Sequence, residues 1–217
     1  MADPLWPLFD LRLRTGDLEL RLPTEPELTE FAAVARAGIH PATDMPFGVA
    51  WTDVGAPDFE RSFFQFHLGH RATWTPARWV LPLGVWVAGA PAGFQDLVAR
   101  DFPTLRTVST GSWLGTAFQG HGVGKLMRQA VLALAFEHLG AEIAESEAFL
   151  DNHASNRVSL AVGYEPNGFG RLAPRATPRE TQRFRMTLEG WQARERPQVT
   201  IEGVELCLEL FGAASAT

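Results

Sequence analysis

Glycine occupies every second position of Gln119-Gly120-His121-Gly122-Val123-Gly124, and the cations Lys125 and Arg128 follow within one turn. Glycine admits positive φ angles and lets a backbone come close to a ligand. The stripe Val123, Met127, Ala130, Val131 and Leu134 predicts a helix beginning near Val123. Its unpaired first-turn N–H groups and positive dipole end would face whatever the loop holds. Lys125 and Arg128 then sit at the helix end that repels cations, costing about a few tenths of a kcal/mol each unless an anion is present. An anion-binding loop explains these features together. A tight turn with a satisfied helix start explains the glycines alone, and the apolar stripe itself is core packing.

Two familiar anion loops do not match. A P-loop needs G-x-x-x-x-G-K-[ST], but Gln119 stands at its first glycine and Leu126 at its Ser/Thr. A dinucleotide fingerprint needs G-x-G-x-x-G, which would require glycine at Lys125 or at Met127. A second polar cluster lies downstream in Asn152-His153-Ala154-Ser155-Asn156-Arg157-Val158, closed by Val162-Gly163-Tyr164. Asn152 suits the N-cap of a helix from Ala154, and Gly163 suits its stop. That account leaves Ser155 and Asn156 unexplained, because such residues are neutral at best in a first turn. His67 and His70, near Glu60, lack a third ligand at a metal-site spacing, so no metal is expected. No Ser-His-Asp set carries a G-x-S-x-G turn.

The elements that must position these groups follow from periodicity. Alternation predicts two short strands, Phe9 to Arg14 and Leu18 to Leu22, joined by Thr15-Gly16-Asp17. A helix is expected from Glu27 to Gly38, then a Pro/Gly/Asp-rich loop from His40 to Val54. A second helix from Pro57 to Ala72 would place Phe59, Phe63, Phe66 and His70 on one face. Strands are expected at Trp79–Val87, Ala92–Arg100, Arg106–Leu114 and Glu142–Leu150, with a strand, loop and strand from Tyr164 to about Leu188. The tail Val199 to Leu210 is expected as one more strand or as a surface packed on a neighbour. Trp51, Trp74, Trp79 and Trp86 suit the lining of a ligand cleft or a core. One α+β domain spanning 1–217, with 189–217 as an extension of it and a central mixed sheet, is the expected fold.

Bulk properties bound the function. The chain has 217 residues, 46% hydrophobic and 20% charged, which suits a globular domain rather than a disordered one. A net charge of −6 argues against non-specific nucleic-acid binding. Cys207 is the only cysteine, so no intrachain disulfide can form. Met1 to Arg14 has no basic region followed by an apolar stretch, and no run approaches the about 20 apolar residues of a membrane span. A cytoplasmic setting without a membrane partner is the expectation. The tail around Cys207, with its Leu and Phe residues, is a candidate contact for a homo-oligomer.

With those residues in view, the sequence resembles the GNAT acyltransferases. The stretch 119–124 resembles their Q/R-x-x-G-x-G/A loop, with Trp113-Leu114-Gly115 upstream where the family's cofactor-pairing strand lies. The stretch from Asn152 resembles the N-x-x-S-x-R-V…G-[FY] signature of the RimJ/RimL-like branch, and Leu18-Glu19-Leu20-Arg21-Leu22-Pro23 resembles its opening strand. The resemblance implies a mostly antiparallel GNAT-like sheet flanked by helices. It implies coenzyme A phosphates near Gln119, Gly120, His121, Gly122, Val123, Gly124 and Lys125, and pantetheine near Trp113 and Leu114. It also implies roles for Asn152, Ser155 and Asn156 toward the donor, with Ser155, supported by Asn152, as the donor of a hydrogen bond or proton to the leaving thiolate. Many GNAT enzymes use a Tyr four residues beyond that serine; here that position is Ser159, and the single Tyr is Tyr164.

The implied reaction is attack by a neutral primary amine on the thioester of acetyl-CoA or succinyl-CoA. The succinyl option rests on a similarity of Asp44-Met45-Pro46-Phe47, Gly111–Gly115 and the glycine loop to an actinobacterial branch. The acceptor is a protein N-terminus, a lysine or a small molecule. Glu145, Glu147, Asp44 and Glu60 are candidate bases, each equally a solvated surface carboxylate. The alternative is a non-catalytic acyl-CoA-binding regulatory domain; an assembly module in which the glycine loop is only a turn is a further rival.

Overall fold

The computed structural model describes residues 5–213. Residues 1–4 and 214–217, the outer ends of the expected domain, lie outside the described residues. β1 (Arg12–Thr15) and β2 (Leu18–Arg21) form a hairpin whose register closes at Thr15↔Leu18. Gly16 makes that turn with φ +55°, where a Cβ would be strained. α1 (Glu25–Ala37) starts with Pro26 in its first turn, and Glu27 reaches back to the Thr24 backbone N–H at 2.8 Å. α2 (Asp58–Ala72) follows a long loop.

β3 (Arg78–Val87) and β4 (Ala90–Arg100) make the longest hairpin, and one-turn α3 (Phe102–Leu105) leads into β5 (Thr107–Leu114). α4 (Val123–Ala133) continues into a wider π-type turn over Leu134–His138 before β6 (Ile143–Phe149). α5 (His153–Val162), β7 (Glu165–Leu172), β8 (Arg179–Thr187), α6 (Leu188–Gln192), β9 (Thr200–Glu202) and α7 (Leu208–Phe211) complete the chain. The strands form one sheet ordered β7-β8-β6-β5-β4-β3-β2-β1-β9. Only the β5–β6 pair is parallel. The sheet is therefore mixed and mostly antiparallel, as expected.

Strand alternation divides the core into two layers. Leu81, Leu83, Val85, Leu97, Val108 and Leu114 face α4, whose stripe Val123, Met127, Ala130, Val131 and Leu134 is wholly buried. Phe94 and Trp86 face α1 and α2 on the other side. The buried stripe of α2 is Phe59, Phe63 and His67, spaced i, i+4, i+8; Phe66 is 53% exposed. The stripe expected through Phe66 and His70 is thus rotated, because the i+4 row tracks the sheet more closely than the i+3 row.

Of the two readings of the tail, the strand is present: β9 pairs with β1. Beyond it Cys207 and Phe211 are fully buried, while Leu206 is exposed. The indole N–H groups of Trp74 and Trp79 donate to the carbonyls of Leu210 (2.7 Å) and Phe211 (3.1 Å), which locks α7 under β3. Burial pushes the Cys207 thiol up to about 12, so it is an inert core group. Of the four tryptophans offered for a cleft, Trp74 and Trp79 stack on each other in this layer, and Trp86 is buried beneath Arg21.

Candidate active site

The parallel β5–β6 ladder runs from Thr107↔Ile143 to Thr110↔Ser146 and then stops. β5 continues through Gly111, Ser112, Trp113 and Leu114 paired only with β4, while Glu147, Ala148 and Phe149 of β6 continue paired only with β8. The sheet therefore opens as a wedge at the carboxyl ends of two parallel strands. The inner edge of Gly111–Leu114 carries backbone groups that another extended chain could pair with.

The glycine loop lies at the tip of this wedge. Gly120 and Gly122 both have φ +81°, and Gly122 is the N-cap of α4. The Gly122 carbonyl takes the Lys125 and Leu126 amides at 3.0 and 3.2 Å. The amides before Lys125 at the helix start have no intrahelical partner by construction and point out of the helix end. A Cβ on Gly124 would lie 3.6 Å from Val158 of α5 and 4.0 Å from Leu114, so the loop sits between β5 and α5. His121 and Lys125 are exposed at its rim. The Gln119 side chain points elsewhere: it donates to the carbonyls of Ile39 and Leu114, both at 2.8 Å. Gln119 thus clamps the loop to β5 and to the end of α1.

Across the wedge, Asn152 caps α5 by accepting the Ser155 amide at 3.1 Å. The half-buried Ser155 hydroxyl makes no hydrogen bond among the described residues, and so is available to a ligand. Asn156 donates to the carbonyls of Phe149 (2.9 Å) and Leu150 (3.3 Å), while its Oδ1 is buried without a partner. A buried acceptor left unpaired costs about 1–3 kcal/mol. The amide N–H of a pantetheine chain is a donor of the right kind for it. Loop, open strand edge, free hydroxyl and orphan acceptor together fit coenzyme A. Ser159 and Tyr164 point away into the core: Ser159 meets Ser146, and the Tyr164 hydroxyl lies 3.1 Å from Thr110.

One charged group sits elsewhere than its sequence position suggests, and another carries no sequence signal beyond its strand. Arg128, expected to face the loop's anion, turns inward instead and is fully buried. It donates to Ser146 on β6 (3.0 Å), to Ser112 on β5 (3.2 Å) and to Gln95 (3.4 Å), propping the wedge open from the α4 side. No carboxylate pairs with it among the described residues. On the opposite face, Asp96 of β4 stands across from Gly111. Its carboxylate keeps a small opening to solvent but is densely surrounded, and burial raises it to about 7. The available signal was a carboxylate in the middle of an apolar strand and an arginine inside an apolar helix.

The α1–α2 loop bridges the mouth. Its start is tied to the end of β5 through Gly38 and Thr116, at 3.0 Å between carbonyl and amide. Farther on, Arg179 of β8 donates to Met45 O (2.6 Å) and pairs with Asp151 beyond β6 (2.6 Å). Arg175, between β7 and β8, grips Asp53 bidentately at 2.6 Å and also reaches Ala42 O at 3.2 Å. Trp51 brings the loop against Trp113, centroids 5.8 Å apart.

Of the sequence's candidate bases, Glu145 and Glu147 lie on β6, where Arg183 and the Thr181 hydroxyl take up Glu147. Asp44 is exposed beside Thr43, and Glu60 pairs with Arg36 at 3.6 Å. His67 is a core residue, 4% exposed and packed on Phe63 and Phe94, and burial drives it down to about 3. A separate hollow of about 410 Å³ lies three strands from β5, and four of its charged residues, Arg14, Glu19, Arg21 and Glu27, are paired with one another.

A family model described as an acetyltransferase (GNAT) domain matches residues 17–165. Among solved structures, RimJ of Mycobacterium smegmatis, in complex with a CoA disulfide, aligns at 19% identity with a TM-score of 0.68, covering 87% of this chain and 91% of that one. RimL, the ribosomal L7/L12 α-N-protein acetyltransferase, in complex with coenzyme A, aligns at 16% identity and TM-score 0.66, over 82% and 99% of the two chains. The microcin C7 self-immunity acetyltransferase MccE, in complex with acetyl-CoA and AMP, aligns at 16% and 0.59, over 79% and 92%. At these identities the likeness is one of fold.

Proposed function

The chain belongs to the GNAT acetyltransferase family, and on that premise we propose that it transfers an acetyl group from acetyl-CoA to a primary amine. The observation that carries the proposal is the wedge: a parallel ladder ending at Thr110↔Ser146, with a glycine-capped helix start at its tip. The amides of Gly120–Gly124 would hold the pyrophosphate. The Gly111–Leu114 edge would pair with pantetheine, and Asn156 Oδ1 would accept one of its amides. The bound donor supplies a thioester carbonyl, open to attack by a neutral amine. A strand N–H of β5 polarises that carbonyl, and the Ser155 hydroxyl donates to the sulfur as it leaves. The acceptor enters under the bridged α1–α2 loop, a setting suited to the end of a chain, such as a protein N-terminus, a lysine tip or a small molecule.

One observation favours a second donor. Arg128 is buried with neutral partners only, and an acyl chain ending in a carboxylate, such as succinyl, would supply its missing anion. Thermal unfolding with acetyl-CoA, succinyl-CoA, ATP and NAD tests both readings, since a ligand bound only by the native state raises apparent stability. At 100 Kd the expected stabilisation is about 2.7 kcal/mol, or about 5–10 °C for a chain of this size. A rise with one acyl-CoA and none with ATP or NAD names the donor; no rise with either acyl-CoA would sink the proposal. Release of free thiol with peptide and lysine acceptors then separates an enzyme from a regulatory domain that only binds.

A further inference from the structure

The reaction needs a base, because an amine acceptor arrives as an ammonium ion. We propose that Asp96 is that base, reaching the acceptor across the side-chain-free position Gly111; this rests on the acyl-transfer reading above. Strand alternation sets its direction. Gln95 and Leu97 beside it face α4, while Phe94 two residues back lies in the α1/α2 layer, so Asp96 points to the acceptor side of the sheet. In register it stands between Pro82 of β3 and Gly111 of β5. Neither can hydrogen-bond to it through a side chain, and its carboxylate makes no hydrogen bond or ion pair among the described residues.

Gly111 is the first residue of β5 beyond the β6 ladder, where the free edge begins. A Cβ there would lie 3.8 Å from Asp96 Oδ2, so the carboxylate is poised directly over the missing side chain. Nothing on β5 screens it from a thioester lying along that edge. The other titratable groups near this face come from α2 and β6. His67 and His70 are both held neutral by burial, Arg71 donates to Pro23 O at 3.0 Å, and Glu145 is exposed across Ser109. None neutralises Asp96. Desolvation keeps its affinity for a proton near neutrality, where a base can both accept and release one.

The proton balance is simple. The ammonium N–H bond breaks and its proton goes to a carboxylate oxygen of Asp96. The freed lone pair forms the C–N bond to the thioester carbon as the C–S bond breaks. The second nitrogen proton passes to the leaving sulfur beside Ser155, and Asp96 returns its own proton to water.

The test is Asp96→Asn, which keeps shape and removes the base. With acetyl-CoA and a panel of peptide α-amines and lysine ε-amines, kcat/KM should fall at least about 100-fold at pH 7. The acetyl-CoA-induced shift in Tm should persist. The defect should shrink as pH rises past the acceptor's own pKa, where the amine is already neutral; a merely structural role would not do this. Stability gives a readout that needs no turnover. A carboxyl whose folded pKa lies above its unfolded value loses stability as pH rises from about 4 to about 7. Asp96→Asn should therefore melt above the wild type at pH 8, with the gap closing toward pH 4. A variant within about threefold of wild-type turnover, or with an unchanged melting profile across pH, overturns the assignment of Asp96 alone. A wild type that transfers to no amine overturns the acyl-transfer reading and this assignment with it. If the variant fails to fold, the wild-type profile decides: an ascending limb near pH 7 supports Asp96, and its absence overturns it.

Discussion

Ser155 and Ser159 are one helical turn apart on α5 and have opposite fates. Ser159 is fully buried beside Ser146, whereas the Ser155 hydroxyl is free at the wedge. The position that holds a tyrosine acid in many relatives is thus spent here on core packing, and the single Tyr164 is spent on Thr110. In the proposed reaction this leaves Ser155 to meet the departing sulfur. A serine hydroxyl is too weak an acid for full proton transfer, so its contribution is a hydrogen bond to developing charge. Ser155→Ala should lower kcat about 10–100-fold while leaving the acetyl-CoA Kd within about threefold. Stopped-flow turnover with equilibrium binding separates the two; unchanged turnover would remove Ser155 from the mechanism. The cap is unaffected, because Asn152 accepts the backbone amide and not the hydroxyl.

At the scale of elements, the glycine loop works through its conformation. Gly122 holds φ +81° with open space around its α-carbon, so Gly122→Ala meets no clash and suffers only backbone strain. That strain costs about 1–2 kcal/mol, or about 2–8 °C in Tm, and on the proposed function it rotates the first amides of α4 away from the pyrophosphate. Acetyl-CoA affinity should fall at least about tenfold, measured by titration calorimetry; full affinity would mean that the loop is only a turn. This loop was legible in the sequence because glycine spacing and helix periodicity are local signals. So were the β3–β4 hairpin, α4 and the Asn152 cap. The wedge was not legible, because it depends on where the β5–β6 ladder ends, which is a register between strands separated by a helix. For the same reason Arg128 was read as a loop cation, and Asp96, one residue in an apolar strand, was passed over. Gln119 matched a motif position, yet its side chain serves as a clamp, a role that only the contact to Ile39 reveals.

For the whole molecule, the wedge is bridged by a loop and a hairpin whose hydrogen bonds to each other, among the described residues, all run through arginine side chains of the hairpin. Arg175 and Ala176 both hold left-handed backbones, with φ +51° and +56°. Such conformations cost about 1–3 kcal/mol each and persist only where surrounding contacts impose them. Among those contacts are the bidentate Arg175–Asp53 pair and the bond to Ala42 O. The pair is largely exposed, and exposed ion pairs contribute about 0–1 kcal/mol to stability. Its consequence is therefore positional: it fixes the α1–α2 loop, and with it Trp51, against Trp113 on the face where the acceptor is proposed to enter. Arg175→Ala removes the grip while the groups proposed to hold the donor, Gly120–Gly124 and Asn156, stay in place. Its Tm should change by less than about 4 °C, and the shift induced by acetyl-CoA should be unaltered. The KM for the amine acceptor should rise at least about fivefold, because each encounter must now order the loop at an entropic cost. High salt should produce part of the same rise in the wild type and little in the variant, since it screens the pair that the variant lacks. An acceptor KM unchanged by both the substitution and salt would show that the amine enters elsewhere than beneath this bridge.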